Sequence, residues 1–384
     1  MAVTARNLGW QLSKVRRVCR SASDLPRHAT FVVLSHADEL AQTQVYPFHL
    51  WAREASRRFG AHLHEIALSD FIAAAPARPC THVQWLAFQT GWDLSREQML
   101  GLIEKIRVAF PVADLIYLDW FAPLDLRYAQ VLDPFIVRYV KKQVFADFSR
   151  YGCATLGDTN LTDYYGRRYG VSMPEVRFEV PGAFRRKLVL GTNFCVSPAL
   201  LDALRGPFPA GERPIDVHAR IATHGTDWYR GMREEARKAA VAVADLLTVS
   251  DGRVPRKEFL KELRSSKICF SPFGYGEVCW RDFEAIMSGA LLLKPRMDHV
   301  KLAPEVFVPH ETYVPIEWDY ADYEDQAKRY LSDGRRRVDI CANAFERVRT
   351  YLQSEASMAS LQALFKPGCA SQSIRYTVTT RSVH

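Results

Sequence analysis

The stretch KICFSPFGYGEVCWRDFEAIMSGALLLKP, Lys267 to Pro295, carries the pattern that decides the fold. It opens on a short apolar run, Ile268 to Phe270, of a length that suits a buried strand. Pro272, Gly274 and Gly276 follow, and neither proline nor closely spaced glycine suits a helix interior. Arg281 to Ser288 then reads as a helix, with Gly289 as its C-terminal cap. Ala290 to Leu293 is a second apolar run. The unit is strand, glycine loop, helix, strand, with Glu277, Arg281, Asp282 and Glu284 at the loop–helix junction. In an open α/β sheet such junctions lie at the carboxyl ends of the strands, where ligands bind. Free N–H groups at the helix start favour an anion, and an arginine there adds a two-pronged phosphate clamp. A carboxylate three residues on can accept from a sugar's vicinal hydroxyls. Together these features suit a nucleoside-diphosphate ligand.

The rest of the second half keeps the same alternation. Strands are predicted at Ile215 to Ala222, Leu246 to Val249, Val306 to Val308 and Tyr313 to Ile316. Helices are predicted at Asp227 to Val243, Arg256 to Ser265, Tyr320 to Leu331, 335–354 and Met358 to Phe365. In the first half, strands are predicted at Phe31 to Leu34, His62 to Leu68, His82 to Phe88, Leu115 to Leu118, Cys153 to Leu156 and Lys187 to Leu190. The helices there are Gln44 to Phe59, Ser95 to Phe110, Tyr128 to Ser149 with a kink or restart at Pro134, and a segment around Tyr164 to Tyr169. Strands alternating with helices at this spacing argue for parallel βαβ units. GPFPAGERP, Gly206 to Pro214, reads as the linker. The expected architecture is α/β: two Rossmann-like domains, 26–205 and 206–366, facing a cleft, with a basic N-terminal segment 1–25 and a polar tail 367–384. Clefts between domains are a preferred place for small-molecule sites.

Composition narrows the function classes. The chain has 384 residues, of which 48% are hydrophobic and 24% charged, enough for large cores and unlike a disordered chain. The formal net charge of +8 fits an anionic substrate or membrane surface, but no aromatic-interleaved basic patch points to nucleic acid. Eight scattered cysteines without CxxC spacing suit a reduced, cytoplasmic chain. No run of 18 apolar residues occurs, and the N-terminus lacks an apolar signal core with a cleavage site. Leu8, Leu12, Val15 and Cys19, with Arg6, Lys14, Arg16, Arg17 and Arg20 around them, suit either a basic amphipathic helix on an anionic membrane or a plain surface helix or frayed tail. The chain has no Asp-x-Asp, no HExxH and no His/Cys cluster, so no metal ligand set is predicted. The first strand is followed by SHADEL rather than by GxGxxG, which argues against a dinucleotide enzyme.

Gly276, Arg281-Asp282-Phe283-Glu284-Ala285-Ile286 and Ser288-Gly289-Ala290-Leu291 resemble the nucleotide-sugar loop of GT-B glycosyltransferases, in the exostosin-like and group 1-like branches. The strand at Ile215 to Ala222 and the helix bearing Arg230 and Arg233 fit the start of that family's second domain. The resemblance covers Pro214 to Leu364, and the first half only through its βα rhythm. It implies a metal-independent hexosyl transfer, with no cofactor, from a nucleotide-sugar donor on the second domain to a glycan or lipid-linked acceptor on the first. A peripheral place on the inner membrane face is compatible with the basic N-terminus. Arg281 would hold the diphosphate, Glu284 the ribose or sugar hydroxyls, and Gly274 and Gly276 would admit the donor to the backbone. Group 1 members often carry a second acid eight residues before Glu284. Here Gly276 stands there and Glu277 sits seven before, so Glu277 is a donor candidate off that spacing.

Placement adds further candidates. Arg220, at a strand end facing the same cleft, would be a second cation for the leaving group. Lys294 is a weaker one and reads as readily as a surface residue. A catalytic base would come from the first half, where Asp119, then His36 and Asp158, follow apolar strands. Trp120 and Phe121 beside Asp119 could stack on an acceptor sugar. Each has a plainer reading: Arg281 and Glu284 as a surface i,i+3 pair, the aspartates as helix caps, His36 as a structural residue. The competing functions are a non-catalytic nucleotide-sugar or polyanion binding protein of the same fold, and another doubly wound enzyme such as an epimerase or phosphorylase.

Overall fold

A computed structural model describes residues 18–19, 21–74, 78–243, 245–250 and 252–365. Most of the basic N-terminal segment and all of the polar tail lie outside the described residues. The first domain holds β1 (Val18–Cys19), β2 (Phe31–Ser35), β3 (Leu63–Ala67), β4 (Trp85–Phe88), β5 (Asp114–Asp119), β6 (Arg138–Lys141), β7 (Gln143–Phe145), a short antiparallel pair β8 (Thr155–Leu156) and β9 (Glu175–Val176), and β10 (Leu188–Leu190). Seven of these form one sheet in the order β1-β3-β2-β4-β5-β6-β10, every pairing parallel. The second domain holds β11 (Ile215–His218), β12 (Thr248–Val249), β13 (Ser266–Phe270), β14 (Leu291–Pro295), β15 (Val300–Leu302) and β16 (Val314–Ile316). Five form a parallel sheet in the order β12-β11-β13-β14-β16. Central strands such as β2 and β14 are buried along their whole length, which is why they read as continuous apolar runs.

The helices that bear on the site are α1 (Glu39–Leu50), α2 (Asn160–Tyr169), α3 (Asp227–Ala242), α4 (Trp280–Ser288) and α5 (Ala356–Phe365). Asp38 caps α1 by accepting from the Leu40 N–H at 2.7 Å, so the helix starts five residues before the predicted Gln44. The predicted helix over Tyr128 to Ser149 is not formed. One turn at Ala129–Leu132 is followed by β6, an interior strand of the first sheet, and by β7. The predicted strand Val306 to Val308 is irregular, and β15 lies just upstream instead.

Besides side-chain contacts such as the 2.6 Å Arg168–Glu235 pair between α2 and α3, three ties join the domains. The linker at 205–214 is one. The second is an antiparallel ladder between β7 and β15, Gln143 to Phe145 against Leu302 to Val300. The third is α5, which leaves the second domain and packs on the first. There Phe365 meets the edges of Phe31 and Trp85, each with ring centroids 5.1 Å apart, and Arg138 Nε donates to the Ala363 carbonyl at 2.9 Å. The expected second domain, 206–366, therefore ends in a helix that belongs by contact to the first. No helix among the described residues is long and apolar enough to cross a membrane.

Candidate functional site

The chain leaves β13 at Phe270, loops through 271–279 and enters α4 at the carboxyl end of the second sheet. Asp282 fixes the entry. Its Oδ2 accepts from the Cys279 N–H at 2.8 Å, and its Oδ1 accepts from Ser271 Oγ at 2.6 Å. The Lys294 ammonium lies 3.1 Å from Oδ2 as a fully buried ion pair without an aligned hydrogen bond. Lys294 is thus an interior counter-charge for Asp282 and not a surface residue. At the other end Gly289 takes φ 68°, the left-handed cap expected of it.

Two guanidiniums converge near the start of α4. Arg281 Nη2 donates to the Arg220 carbonyl at 2.6 Å, and its Nε is buried without a partner among the described residues. Arg233, on α3, is buried; it donates from Nε to the Ala222 carbonyl at 3.0 Å and from Nη1 to the Phe273 carbonyl at 2.9 Å. Burial, and after it the charge of Arg281, pushes the Arg233 pKa down. Among the described residues neither guanidinium forms an ion pair with a carboxylate. Two cations beside the positive end of a helix are an anion-binding arrangement. Glu284 is buried, with Oε1 2.9 Å from Arg256 Nη2. Burial pushes its pKa up, against the pull of Arg256 and Arg281.

Arg220 contributes differently from its predicted role. Its guanidinium grips Glu262 through two bonds of 2.6 Å and donates to the Gly252 carbonyl at 3.1 Å. What it offers the site is the carbonyl that accepts from Arg281.

Glu277 is fully buried at the boundary between the domains. Oε1 accepts from Asn160 Nδ2 of the first domain at 2.7 Å and lies 3.4 Å from His299 Nε2, whereas Oε2 has no partner among the described residues. The adjacent Gly276 is pressed against the first domain. A Cβ there meets the Ala122 carbonyl oxygen at 2.2 Å, and Gln143 Nε2 donates to that oxygen at 2.8 Å. The missing side chain of Gly276 thus serves domain contact rather than approach of a donor. Gly274 is less confined, its nearest neighbour being Cys279 Sγ at 3.3 Å.

The three first-domain candidates separate. Asp119 is 1% exposed and its oxygens are engaged: Oδ2 accepts from Tyr139 Oη at 2.6 Å and Lys141 Nζ at 2.9 Å, and Oδ1 from the Phe121 N–H at 3.1 Å. It is a structural anion inside the sheet, and Trp120 and Phe121 are likewise buried. His36 stacks on Trp120 at 5.4 Å, and its Nδ1 accepts from the Asp38 N–H at 3.2 Å, which occupies the ring's basic lone pair. Asp158 keeps 41% of its side chain exposed, with Oδ2 accepting from Arg127 Nη2 at 3.1 Å. It stands two residues before Asn160, on the loop that leads into α2. Sequence reasoning did not assign roles to Arg233, Arg256 or Asn160. Arg233 had a signal: an arginine beside the apolar series Trp228, Met232, Ala236 and Ala240, which forms the buried side of α3. Asn160 and Arg256 had none, because their partners are distant in the chain. Among the described residues no group of three His, Cys, Asp or Glu could hold a metal ion.

The whole-chain geometry can be set beside known structures. An alpha-glucosyltransferase solved with UDP-glucose and DNA containing an abasic site superposes with a TM-score of 0.50 over 88% of this chain and 99% of that one, at 8% identity. The fold is GT-B. Within it, residues 209–363, spanning most of the second domain and all but the last two residues of α5, match the family described as glycosyl transferase-like. HepE of Anabaena, solved with UDP-glucose, is similar at a TM-score of 0.43 and 8% identity, over 87% of this chain and 98% of that one. The C-terminal domain of the group 1 family protein LpcC from Francisella tularensis is 20% identical, at a TM-score of 0.24; the match covers 33% of this chain and 64% of that domain. No protein of curated function matches the chain.

Proposed function

We propose that this GT-B protein is a glycosyltransferase that moves a hexose from a nucleotide-diphosphate sugar to a glycan or lipid-linked acceptor, without a metal ion, in the manner of the exostosin-like branch. The observation that carries the reading is the pair Arg281 and Arg233 at the start of α4, two guanidiniums with no carboxylate partner among the described residues and one nitrogen, Arg281 Nε, left for a ligand. A diphosphate supplies the missing negative charge. Glu284, buried beside it and steadied by Arg256, accepts from ribose hydroxyls. Glu277, with Oε2 unpartnered, accepts from the transferred sugar.

The reaction follows from this placement. An acceptor hydroxyl loses its proton to a base and attacks the anomeric carbon. The bond from that carbon to the phosphate oxygen breaks, and the nucleoside diphosphate leaves with added negative charge. The guanidiniums and the helix start offset that charge where it develops. Of the three predicted bases Asp158 suits the proton transfer, being open to solvent on the loop that leads to Asn160 and Glu277. Seating donor and acceptor between the domains excludes the water that would hydrolyse the donor. The basic N-terminal segment would bring the enzyme to an anionic lipid surface carrying the acceptor, at the inner membrane face.

The test is incubation with UDP-glucose, UDP-N-acetylglucosamine, UDP-galactose and GDP-mannose in chelator, with and without glycan acceptors. Acceptor-dependent release of nucleotide is the expected result. Tight binding of a sugar nucleotide with no release for any acceptor would favour a binding protein instead.

A further inference from the structure

We propose that Asn160 positions Glu277: an amide of the first domain locks the carboxylate of the second and leaves Oε2 as one oriented acceptor for a hydroxyl of the transferred sugar. The proposal rests on the glycosyltransferase reading and adds to it a residue from the opposite domain.

The geometry is specific. Glu277 is 0% exposed, and its Oε1 is held by Asn160 Nδ2 at 2.7 Å with His299 Nε2 at 3.4 Å. Among the described residues two acceptor oxygens remain buried without partners, Glu277 Oε2 and Asn160 Oδ1, on side chains that already touch. Buried acceptors without donors are rare, and two on neighbouring groups call for a ligand that donates. A phosphate has only acceptors to offer at neutral pH and would be repelled here. A sugar's hydroxyls donate. The division of labour is therefore by chemistry: phosphates to the arginines, hydroxyls to the Glu277–Asn160 pair.

Both partners are held in place by their backbones. Asn160 is the first residue of α2, whose start is fixed by a reciprocal cap. The Thr162 N–H donates to Thr159 Oγ1 at 3.0 Å, and the Thr159 N–H donates to Thr162 Oγ1 at 2.8 Å. Glu277 follows Gly276, which sits flush on Ala122 of the first domain. The Asn160 amide therefore meets a loop that cannot drift from it while the domains remain in contact. Moving the domains apart breaks the bond and frees Glu277 to rotate, so sugar recognition depends on domain closure.

The experiment compares each sugar nucleotide of the panel above with its bare diphosphate, UDP or GDP, by calorimetry, in the wild type, Asn160→Ala and Asn160→Asp. Asn160→Ala is expected to weaken the sugar nucleotide about tenfold while bare diphosphate affinity stays within about twofold. Asn160→Asp keeps the size and shape of the side chain, so it is the variant to rely on should alanine impair folding. At neutral pH two carboxylates would face each other and the sugar preference would fall. As the pH drops toward 5 one of them takes up a proton and can donate again, so the preference returns. His299 lies 3.4 Å from Glu277 Oε1 and Tyr151 feels the Glu277 charge, and both are present in the wild-type control. A purely structural amide would give an unchanged ratio of sugar-nucleotide to diphosphate affinity, or equal losses of both, with no recovery in acid; either result overturns the proposal. The release assay above tests the glycosyltransferase reading separately: no acceptor-dependent release in the wild type removes that reading, whereas release with an unchanged affinity ratio in Asn160→Ala removes only the positioning role.

Discussion

A Cβ on Gly276 falls 2.2 Å from the carbonyl oxygen of Ala122, across the boundary between the two domains. That oxygen is backbone, held further by Gln143 Nε2, so it cannot swing aside as a flexible side chain could. Gly276→Ala must therefore separate the loop from the first domain. The expected cost is about 1–3 kcal/mol in urea unfolding, as for other overpacked sites. Sugar-nucleotide binding should weaken with it, because Glu277 is the next residue. Gly274→Ala is the control. Its nearest contact is 3.3 Å from a cysteine sulfur, so the change in stability should stay below about 1 kcal/mol.

Arg281→Ala should weaken UDP or GDP binding by about 10- to 100-fold, the usual worth of a charge-assisted bond to phosphate. Arg281→Lys should recover only part of this, since an ammonium keeps the charge but loses the fork that both donates to the Arg220 carbonyl and leaves Nε for a ligand. The measurement is calorimetric titration at two salt concentrations. Unchanged affinity in the alanine variant would take the diphosphate away from this helix start.

Asp119 offers a test of structural against catalytic roles. Asp119→Asn leaves Lys141 buried without its counter-charge, which is expected to cost about 3–5 kcal/mol. Thermal unfolding should show the loss, while turnover per folded molecule should hold within a few-fold. A large fall in turnover with the melting temperature preserved would return the base role to Asp119.

Lys142 gives a pH signature. The residue is 2% exposed, its ammonium lies 4.3 Å from the centre of the Phe194 ring, and among the described residues its hydrogen-bond partners are Thr43 Oγ1 at 3.2 Å and the Leu40 carbonyl at 3.4 Å. Burial first, and the neighbouring Lys141 second, lower its pKa from 10.5 to about 7. The unfolded chain therefore holds more protons than the folded one between pH 7 and 10.5, and stability rises with pH through that window. Below pH 7 both states are protonated and the contribution is flat. Lys142→Met should remove a slope of about 1 kcal/mol per pH unit. Denaturant titrations of both proteins at pH 6, 8 and 9.5 read the difference.

How much could be read from the chain depended on how local each cause was. The Lys267–Pro295 unit was legible because its start, loop, cap and second strand are all set by neighbours in sequence, from the Asp282 cap to Gly289. The strand β6 was not. Leu132, Phe135, Ile136, Tyr139 and Val140 fit helical spacing, and a strand buried along most of its length has no period of two to contradict it. The charged residues failed for another reason. Arg220 is claimed by Glu262, forty-two positions away, and Asp119 by Lys141, across adjacent strands. A strand-end position shows that a side chain can reach a cleft, but only the folded chain shows which opposite charge reaches it first. Gly276 was found for the wrong reason, since its neighbour is Ala122 in the other domain.

The return of α5 to the first domain has a mechanical consequence. Two bodies joined by one strand of chain can swivel freely about it. Joined by two crossings, at 205–214 and again before Ala356, they are held against free swivelling, and the β7–β15 ladder stiffens the joint further. Arg168 on α2 also bridges to Glu235 on α3 at 2.6 Å, so the two bodies are tied on more than one side. The Asn160–Glu277 bond and the Gly276–Ala122 contact both cross this joint one residue apart, so any parting of the domains that loosens one strains the other.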